Sequence, residues 1–255
     1  MMLENKKGIV FGIANDHSIA WGVAKTLHEN GAQLAITYQN QTLLKRVKPL
    51  AEKVDSNLLL ECDFNEEKSI EKTINKISKE WESIDFVIHA VAYSDKNELN
   101  GRYIDTSKDN FIKSLNISCY SFTKIAKLVE PYMKNGGSLL TLSFYGSKKV
   151  MPNYNVMGVA KAALETSVKY LSVDLGGKNI RVNAISAGPM RTLAGAAIAN
   201  AREVFKYTED NSPLKRNVSL NELGNSSLYL ISDLSNAVTG EVHYVDSGFN
   251  IKGMP

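Results

Sequence analysis

The sequence predicts a single-domain α/β protein with a doubly wound parallel sheet of seven strands. Short apolar runs alternate with amphipathic stretches along all 255 residues, which is the pattern of βαβ units. The runs are apolar nearly throughout, as expected of strands that helices cover on both faces. No change in composition marks a linker, so residues 1–255 are predicted to form one domain.

The predicted elements follow in chain order. The strands cover 8–12, 33–38, 57–62, 84–91, 138–143, 180–186 and 242–246. The helices cover 19–30, 41–54, 66–80, 107–134, 155–176 and 220–232. Right-handed crossovers between such elements give a Rossmann-like sheet. Residues 190–213 are rich in Ala and Thr and follow a strand end, so an irregular, mobile substrate loop is predicted there.

Composition and charge argue against several classes of protein. The net charge of +3 and the scattered basic residues do not indicate nucleic-acid binding. No apolar run approaches the length of a membrane span, and the apolar stretch at 9–14 is too short for an export signal. Cys62 and Cys119 have no Cys or His at metal-ligand spacing. We therefore expect a cytoplasmic protein with two reduced thiols and no metal site.

The turn after the first strand is the first candidate for a cofactor site, because ligands of doubly wound sheets bind at the carboxyl ends of the strands. Gly12 permits close approach of a backbone, and the N–H groups of Ser18 and Ile19 are predicted to face a pyrophosphate at a helix N-terminus. The turn lacks the G-x-G-x-x-G fingerprint, so an ordinary helix cap is an equal alternative.

Gln39 ends the second strand, where NAD sites often have a carboxylate and NADP sites an arginine. A carboxamide supplies no charge for a 2′-phosphate, so the sequence favours NADH, with Lys45 and Arg46 as the contrary signal. Asp63 follows the third strand and is either an acceptor for the adenine amino group or an ordinary turn residue. His89 at the end of the fourth strand is interpreted as structural.

The segment 153–162 carries the clearest chemical signal. Tyr154 and Lys161 are seven residues apart, nearly two helical turns, so both are predicted to project from one helical face. A nearby ammonium lowers the pKa of a phenol or stabilises its phenolate, and can also hold the nicotinamide ribose. The phenol would then stabilise negative charge that develops on a substrate carbonyl oxygen.

A second Tyr–Lys pair, Tyr145 and Lys149, has the four-residue spacing of ordinary short-chain dehydrogenases. The strand-ending Ser143 lies only two residues before this tyrosine, and Pro152 argues against a helix that continues from it. We therefore interpret Lys148 and Lys149 as solvated loop charges. After the sixth strand, a tight turn at 188–189 and Thr192 are predicted to lie beside the cofactor.

These blocks together resemble the bacterial NADH-dependent enoyl-acyl-carrier-protein reductases, a divergent branch of the short-chain dehydrogenases. The matching blocks are 36–40, 140–143, 152–158, 181–189 and 240–243. The resemblance implies an enzyme of fatty-acid biosynthesis that reduces the trans-2 double bond of an enoyl thioester on acyl carrier protein. It also implies that hydride passes from NADH to the β-carbon, that Tyr154 holds the enolate oxygen, that Lys161 holds the cofactor, and that the protein is a homotetramer.

The motifs and the resemblance together give the predicted site. The catalytic residues are Tyr154, Lys161 and Phe144; the cofactor-binding residues are Gly12, Ser18, Ile19, Gln39, Asp63, Phe64, Ala90, Val91, Lys161 and Thr192; the substrate-binding residues are Ala92, Tyr154 and Met157. Lys206, Lys215 and Arg216 are candidate contacts for acyl carrier protein.

Three positions depart from the family pattern. Phe144 stands where the family often carries a second tyrosine, although the mycobacterial branch also has phenylalanine. The usual Ser-Ile-Gly after the strand-four histidine is replaced by Ala90-Val91-Ala92, which alters the surface that would lie against the nicotinamide. Asn116 replaces a usual acidic residue, in the helix where ordinary short-chain dehydrogenases carry a relay asparagine.

Two other functions use the same fold. A ketone or alcohol dehydrogenase is one, and the Tyr–Lys spacing of seven rather than four argues against it. A protein that binds NADH without catalysis is the other, and the intact Tyr154 and Lys161 argue against that.

Overall fold

A sheet of seven parallel strands organises the computed structural model, which describes residues 1–196 and 201–252. Strands β1 to β7 are Lys7–Phe11, Gln33–Tyr38, Leu58–Glu61, Phe86–His89, Gly137–Phe144, Ile180–Ala187 and Val242–Val245. Their order in the sheet is β3-β2-β1-β4-β5-β6-β7, and every pairing is parallel. The predicted α/β class and its seven strands are confirmed.

Helices cover both faces of the sheet in the described part of the chain. Helices α1 to α9 are Ile19–Glu29, Gln41–Glu52, Glu67–Glu80, Lys108–Leu115, Ser121–Val129, Asn155–Gly176, Leu193–Ala196, Ala201–Asn211 and Leu220–Ile231. Ile9 and Phe11 of β1 pack in the core with α3, α5 and α6, whereas Val10 packs with α1, α2 and α9. Because successive side chains of a strand point to opposite faces, a strand covered on both sides must be apolar throughout.

The switch point of the sheet lies between β1 and β4. The chain runs outward from β1 through β2 to β3, then returns to place β4 on the other side of β1. The connections therefore diverge at the carboxyl ends of β1 and β4, which opens the crevice where such sheets bind ligands. None of the helices that the structure describes is long and apolar enough to cross a membrane.

Two predicted elements were wrong in their local structure. The helix expected over 107–134 is interrupted, because α4 gives way to a π-helical turn at Asn116–Tyr120 before α5 begins. The segment 190–213, expected to be irregular, contains α7 and α8, and α8 is formed largely by residues that tolerate a helix well, such as Arg202, Glu203 and Lys206. Residues 197–200 of that segment lie outside the described residues. Its mobility stays a prediction.

Candidate active site

A cavity of about 540 Å³ opens at the carboxyl ends of the central strands. Of the predicted site residues, those that line it are Gly12, Ser18, Ile19, Gln39, Phe64, Ala90, Val91, Ala92, Phe144, Tyr154, Met157, Lys161 and Thr192. Asp63 is not among the lining residues, although Cys62 and Phe64 on either side of it are. Residues from distant parts of the sequence thus meet in one place because parallel strands end at one edge of the sheet.

Gly12 at the end of β1 has no room for a side chain. A Cβ atom there would lie 2.1 Å from the carbonyl oxygen of Ala90, which follows β4. Its φ of +102° is also a conformation that L-residues rarely adopt. The two strand ends can therefore approach each other only with glycine at this position.

The turn between β1 and α1 is closed by the hydroxyl of Ser18. Its Oγ accepts from the backbone N–H groups of Ala14 (3.0 Å) and Asn15 (3.1 Å). The Ser18 N–H itself donates to the carbonyl of Asn15 at 3.2 Å, so it is engaged within the turn, and its contact with a pyrophosphate stays a prediction. Ile19 and Ala20 begin the helix and line the cavity, and the first N–H groups of a helix have no partner within it. Free N–H groups at a helix N-terminus have the geometry and the partial positive charge that suit an anion.

Gln39 and Asp63 interact directly at the far end of the cavity. The Nε2 of Gln39 donates to Oδ1 of Asp63 at 3.3 Å. Asn65 donates to the same oxygen from its backbone (3.0 Å) and its side chain (2.8 Å). Burial raises the pKa of Asp63, but these hydrogen bonds outweigh it and leave the pKa below its usual value. Asp63 is therefore a carboxylate whose Oδ2 can accept a further donor.

His89 and Cys62 are structural residues beside the cavity. The His89 ring is fully buried, with its Nδ1 2.8 Å from Oγ1 of Thr141 and its Nε2 2.8 Å from Oγ of Ser121. Burial, together with the charge of Lys161, lowers the pKa of His89 to about 3, so the ring is neutral. Burial also raises the pKa of the Cys62 thiol to about 12. The structural interpretation of His89 is confirmed.

Tyr154 lies at the N-cap of α6 rather than within the helix. Its φ of −112° and ψ of −26° precede the first helical residue, Asn155. The prediction of a shared helical face was therefore inexact, but Tyr154 and Lys161 both line the cavity and are only 8% and 6% exposed. The ring of Tyr154 packs edge-on against Phe144, with 5.0 Å between ring centroids.

Lys161 and Tyr154 have shifted protonation equilibria. Burial lowers the pKa of the Lys161 ammonium to about 8, against the opposing influence of Cys119 and Glu165, and its Nζ donates to the carbonyl of Leu142 at 2.6 Å. Burial, reinforced by the charge of Glu165, raises the pKa of Tyr154 well above its usual value. The expectation that Lys161 lowers the pKa of the phenol was therefore wrong. Near neutral pH the phenol is a protonated hydrogen-bond donor.

Lys148 is an ion-pair partner rather than a solvated loop charge, so that prediction was wrong. Its Nζ lies 3.0 Å from a carboxylate oxygen of Glu165, whose side chain is only 2% exposed. Glu165 was missed by the sequence reasoning, although its position was a signal. It falls one turn after Lys161, on the helix face that Leu164 and Val168 share with the core. The side chain of Lys149 is exposed, as predicted.

Asn116 lies away from the cavity. The residue is exposed and begins the π-helical turn, whereas the next residue, Ile117, lines the cavity. A relay role for Asn116 is therefore contradicted by its position. The additional residue in the π-helical turn shifts the helix register, which periodicity alone does not predict.

The mouth of the cavity is apolar. The lining side chains there that the sequence reasoning missed include Tyr93, Leu99, Met151, Met190, Val204 and Phe205. Val204 and Phe205 belong to α8, so a helix forms part of the wall that was expected to be a loop. The hydroxyl of Thr192 accepts from the N–H of Gly195 at 2.9 Å and so caps the short helix α7. Such a wall suits an acyl chain better than a polar substrate.

The predicted basic contacts for a carrier protein are engaged with acidic or carbonyl groups. Arg216 donates to both carboxylate oxygens of Glu222, at 2.6 and 2.9 Å. Lys206 pairs with Asp210 at 3.2 Å, and Lys215 donates to the carbonyl of the same residue at 2.6 Å. These three side chains are therefore less free to meet an acidic partner than the sequence suggested.

Comparison with known proteins gives one consistent family. A family model described as enoyl-(acyl carrier protein) reductase matches residues 12–250. A relative from Rhizobium meliloti (strain 1021), enoyl-(acyl-carrier-protein) reductase (NADH) 2, is 56% identical over 254 residues, which cover 100% of this chain and 95% of the relative.

Two solved structures share the whole architecture. The crystal structure of FabI from Candidatus Liberibacter asiaticus superposes with a TM-score of 0.97 at 55% identity, covering 100% of this chain and 98% of that one. The enoyl-(acyl-carrier-protein) reductase of Anaplasma phagocytophilum in complex with NAD gives a TM-score of 0.96 at 55% identity, covering 100% of this chain and 97% of that one.

Proposed function

We propose that Tyr154 and Lys161 carry the reaction of the family to which this chain belongs, the enoyl-(acyl carrier protein) reductases. The chain is an NADH-dependent oxidoreductase, and its substrate is an enoyl thioester on acyl carrier protein. NADH supplies the hydride that adds to the β-carbon of the double bond. The observation that carries the proposal is the cavity that Tyr154 and Lys161 line together, with the phenol protonated and the ammonium buried.

The cavity offers groups suited to each part of a dinucleotide. Gln39 and Asp63 offer acceptors for the adenosine, and Phe64 an apolar surface for its base. The N–H groups that begin α1 suit the pyrophosphate, because a helix N-terminus attracts anions. At the other end, the small side chains of Ala90 and Val91 leave room for a flat ring beside the backbone.

Lys161 binds rather than reacts in this proposal. Its Nζ keeps one donor on the carbonyl of Leu142 and directs the remaining donors into the cavity, toward the ribose hydroxyls of the cofactor. Charge-assisted hydrogen bonds of this kind are the strong ones in a buried site. Lys161 therefore fixes where the hydride donor lies.

Tyr154 acts on the thioester carbonyl. As hydride adds to the β-carbon, negative charge develops on the carbonyl oxygen, and the protonated phenol donates a hydrogen bond to that oxygen. Thr192 and Ala92 line the same end of the cavity, and Met157 contributes an apolar wall for the acyl group. A proton from solvent then completes the reduction at the α-carbon.

The assay that tests this function compares two thioesters. NADH oxidation is followed at fixed enzyme concentration with crotonyl thioester and with acetoacetyl thioester. We expect turnover with the first and none with the second. Turnover of the keto thioester alone would identify a ketone reductase, and tight NADH binding with neither activity would identify a non-catalytic binding protein.

We also propose a homotetramer. Two apolar faces support it: Tyr170 and Val173 of α6 are 73% and 80% exposed, and Ile112 and Tyr120 on the neighbouring α4 region are about half exposed. Leu234, in the short turn that follows α9, is 64% exposed. Helices α6 and α9 pack in opposite halves of the core, so exposed apolar residues lie on both sides of the sheet and allow two distinct two-fold contacts. Light scattering coupled to size exclusion gives the mass that tests the assembly.

We propose, finally, that the chain works as one dinucleotide-binding and catalytic domain in the cytoplasm. The continuous sheet and the carrier-protein substrate of the family support this. Within it, the segment 190–213 is proposed to move when the acyl chain enters, since Val204 and Phe205 of that segment line the mouth of the cavity.

A further inference from the structure

A buried carboxylate lies behind the proposed catalytic residues and is not among the residues that line the cavity. Oε1 of Glu165 accepts from the hydroxyls of Ser143 (2.6 Å) and Ser147 (2.5 Å). Its Oε2 lies 3.0 Å from Nζ of Lys148, whose side chain is 46% exposed. A carboxylate is costly to bury even when it is paired. For stability alone, an apolar residue at position 165 would be the simpler solution.

The three partners of Glu165 belong to one segment, residues 143–148, which we term the β5 turn. This turn forms the wall behind Tyr154: a Cβ atom on Gly146 would lie 2.5 Å from the Tyr154 ring, and Phe144 packs against the ring's edge. Glu165 belongs to α6, the helix that Tyr154 caps. The hydrogen bonds of Glu165 therefore join the β5 turn to α6, and these two elements flank the phenol of Tyr154.

Glu165 is also the carboxylate closest in sequence to Lys161, one helical turn away. Other groups that interact with the ammonium are the Cys119 thiol from the π-helical turn and the neutral ring of His89 from β4. Among these described groups, the carboxylate is the one that carries a negative charge near neutral pH. Its charge raises the pKa of Lys161, against the stronger effect of burial, which lowers it.

We propose that Glu165 is a positioning residue for the reduction, which holds the β5 turn against Tyr154 and supplies the negative charge that retains the ammonium of Lys161. Lys148 is its counter-ion at the surface, which lets the carboxylate stay buried. This inference rests on the proposed function, because it assigns Glu165 a role only through Tyr154 and Lys161.

Three variants separate charge from geometry. Glu165→Gln keeps the shape and removes the charge, Lys148→Met removes the counter-ion, and Lys149→Met is the matched control at the exposed neighbouring lysine. For each we measure the Kd of NADH and kcat with crotonyl thioester from pH 6.5 to 9.5, together with the melting temperature. NADH binding needs no turnover, so its pH dependence reports on Lys161 independently of the chemical step.

NADH affinity is expected to fall as the pH rises, and we term the pH range of this fall the alkaline limb. Glu165→Gln and Lys148→Met are expected to move it in opposite directions. Glu165→Gln removes a negative charge, so NADH affinity should be lost at lower pH than in the parent protein, and kcat should fall by about ten- to a hundredfold because the phenol is misplaced. Lys148→Met removes a positive charge, so the same limb should move to higher pH. Lys149→Met should leave it in place.

The result that overturns the proposal is an alkaline limb that Glu165→Gln leaves at its original pH, whatever happens to kcat or the melting temperature. If Glu165→Gln does not fold, Lys148→Met decides alone: a limb moved to higher pH supports the proposal, and an unmoved limb overturns it. A parent protein that binds NADH but reduces no enoyl thioester contradicts the proposed function instead, and the NADH titrations still test Glu165.

Discussion

The rings of Phe144 and Tyr154 pack edge to face, with centroids 5.0 Å apart and an angle of 69° between their planes. Phe144 is the last residue of β5, so the sheet itself supports one side of the phenol. Where the family often has a second tyrosine, this chain thus has a purely apolar contact. The contact positions the Tyr154 ring without offering a second hydroxyl.

Replacement of Phe144 should therefore change turnover more than cofactor binding. Phe144→Ala removes the ring contact, and we expect kcat with crotonyl thioester to fall about tenfold as Tyr154 loses its support. Phe144→Tyr keeps the ring and should retain most of kcat. Steady-state kinetics on both variants provide the test, with NADH affinity as the internal control. Equal activity of the alanine variant and the parent would show that this packing is irrelevant to the reaction.

The pair formed by Gln39 and Asp63 predicts the choice of cofactor. Neither side chain offers a positive charge to a 2′-phosphate, and Asp63 is ionised, so it repels one. We expect kcat/KM for NADH to exceed that for NADPH by at least about tenfold, or roughly 1.4 kcal/mol. Gln39→Arg should reduce this preference for NADH by raising kcat/KM for NADPH. Similar kcat/KM values for both cofactors in the parent would contradict this account of the adenosine end.

The close approach of β1 and β4 makes Gly12 irreplaceable. Gly12→Ala places a Cβ 2.1 Å from the Ala90 carbonyl oxygen at a positive φ, so the free energy of unfolding should fall by more than about 1 kcal/mol and NADH binding should be lost. Gly176→Ala is the matched control, because a Cβ there meets nothing within 4 Å. Denaturant titrations compare the two. A destabilisation of equal size in both variants would refute the steric argument.

The low pKa of Lys161 predicts opposite effects of pH on binding and on stability. As pH rises through about 8, the folded protein loses the ammonium, so NADH affinity should fall. Between pH 8 and 9.5 the unfolded chain still holds the proton that the folded chain has released. The free energy of unfolding should therefore rise with pH in this window, by the contribution of this group.

Lys161→Met is the reference for that pH effect. Subtracting its free energy of unfolding from that of the parent at each pH removes the contributions of other titrating groups. The difference should rise from pH 8 to 9.5, and calorimetric NADH titrations on the parent should weaken over the same range. A flat difference would mean that Lys161 keeps an ordinary pKa in the folded protein.

The sheet was predictable from the sequence because strands that are buried on both faces are apolar at nearly every position. The run of Ile9, Val10 and Phe11 is apolar since its members alternate between two separate halves of the core. The Tyr154–Lys161 spacing was also predictable, because both residues lie in the first turns of one helix or at its cap. In each case the decisive interaction is local or repeats along an element.

The errors concern interactions between distant residues. In the sequence, Lys148 has the features of an ordinary surface charge. The fold places Glu165 of α6 next to it, and no local pattern indicates that pairing. The raised pKa of Tyr154 likewise depends on burial by the folded chain, and not on its spacing from Lys161. The π-helical turn at Asn116–Tyr120 is a change of hydrogen-bond register, which hydrophobic periodicity does not record.

The central claim is that Lys161 binds the cofactor and Tyr154 stabilises the oxyanion. Its most direct test compares Tyr154→Phe with Lys161→Met by NADH titration and by single-turnover reduction of crotonyl thioester. For Tyr154→Phe we expect unchanged NADH affinity and a chemical step slower by about a hundred- to a thousandfold, because one hydrogen bond to the developing oxyanion is lost. For Lys161→Met we expect NADH affinity about tenfold weaker, from the loss of hydrogen bonds to a charged group. Normal reduction by Tyr154→Phe, or normal NADH affinity in Lys161→Met with circular dichroism showing both folded, would contradict the account.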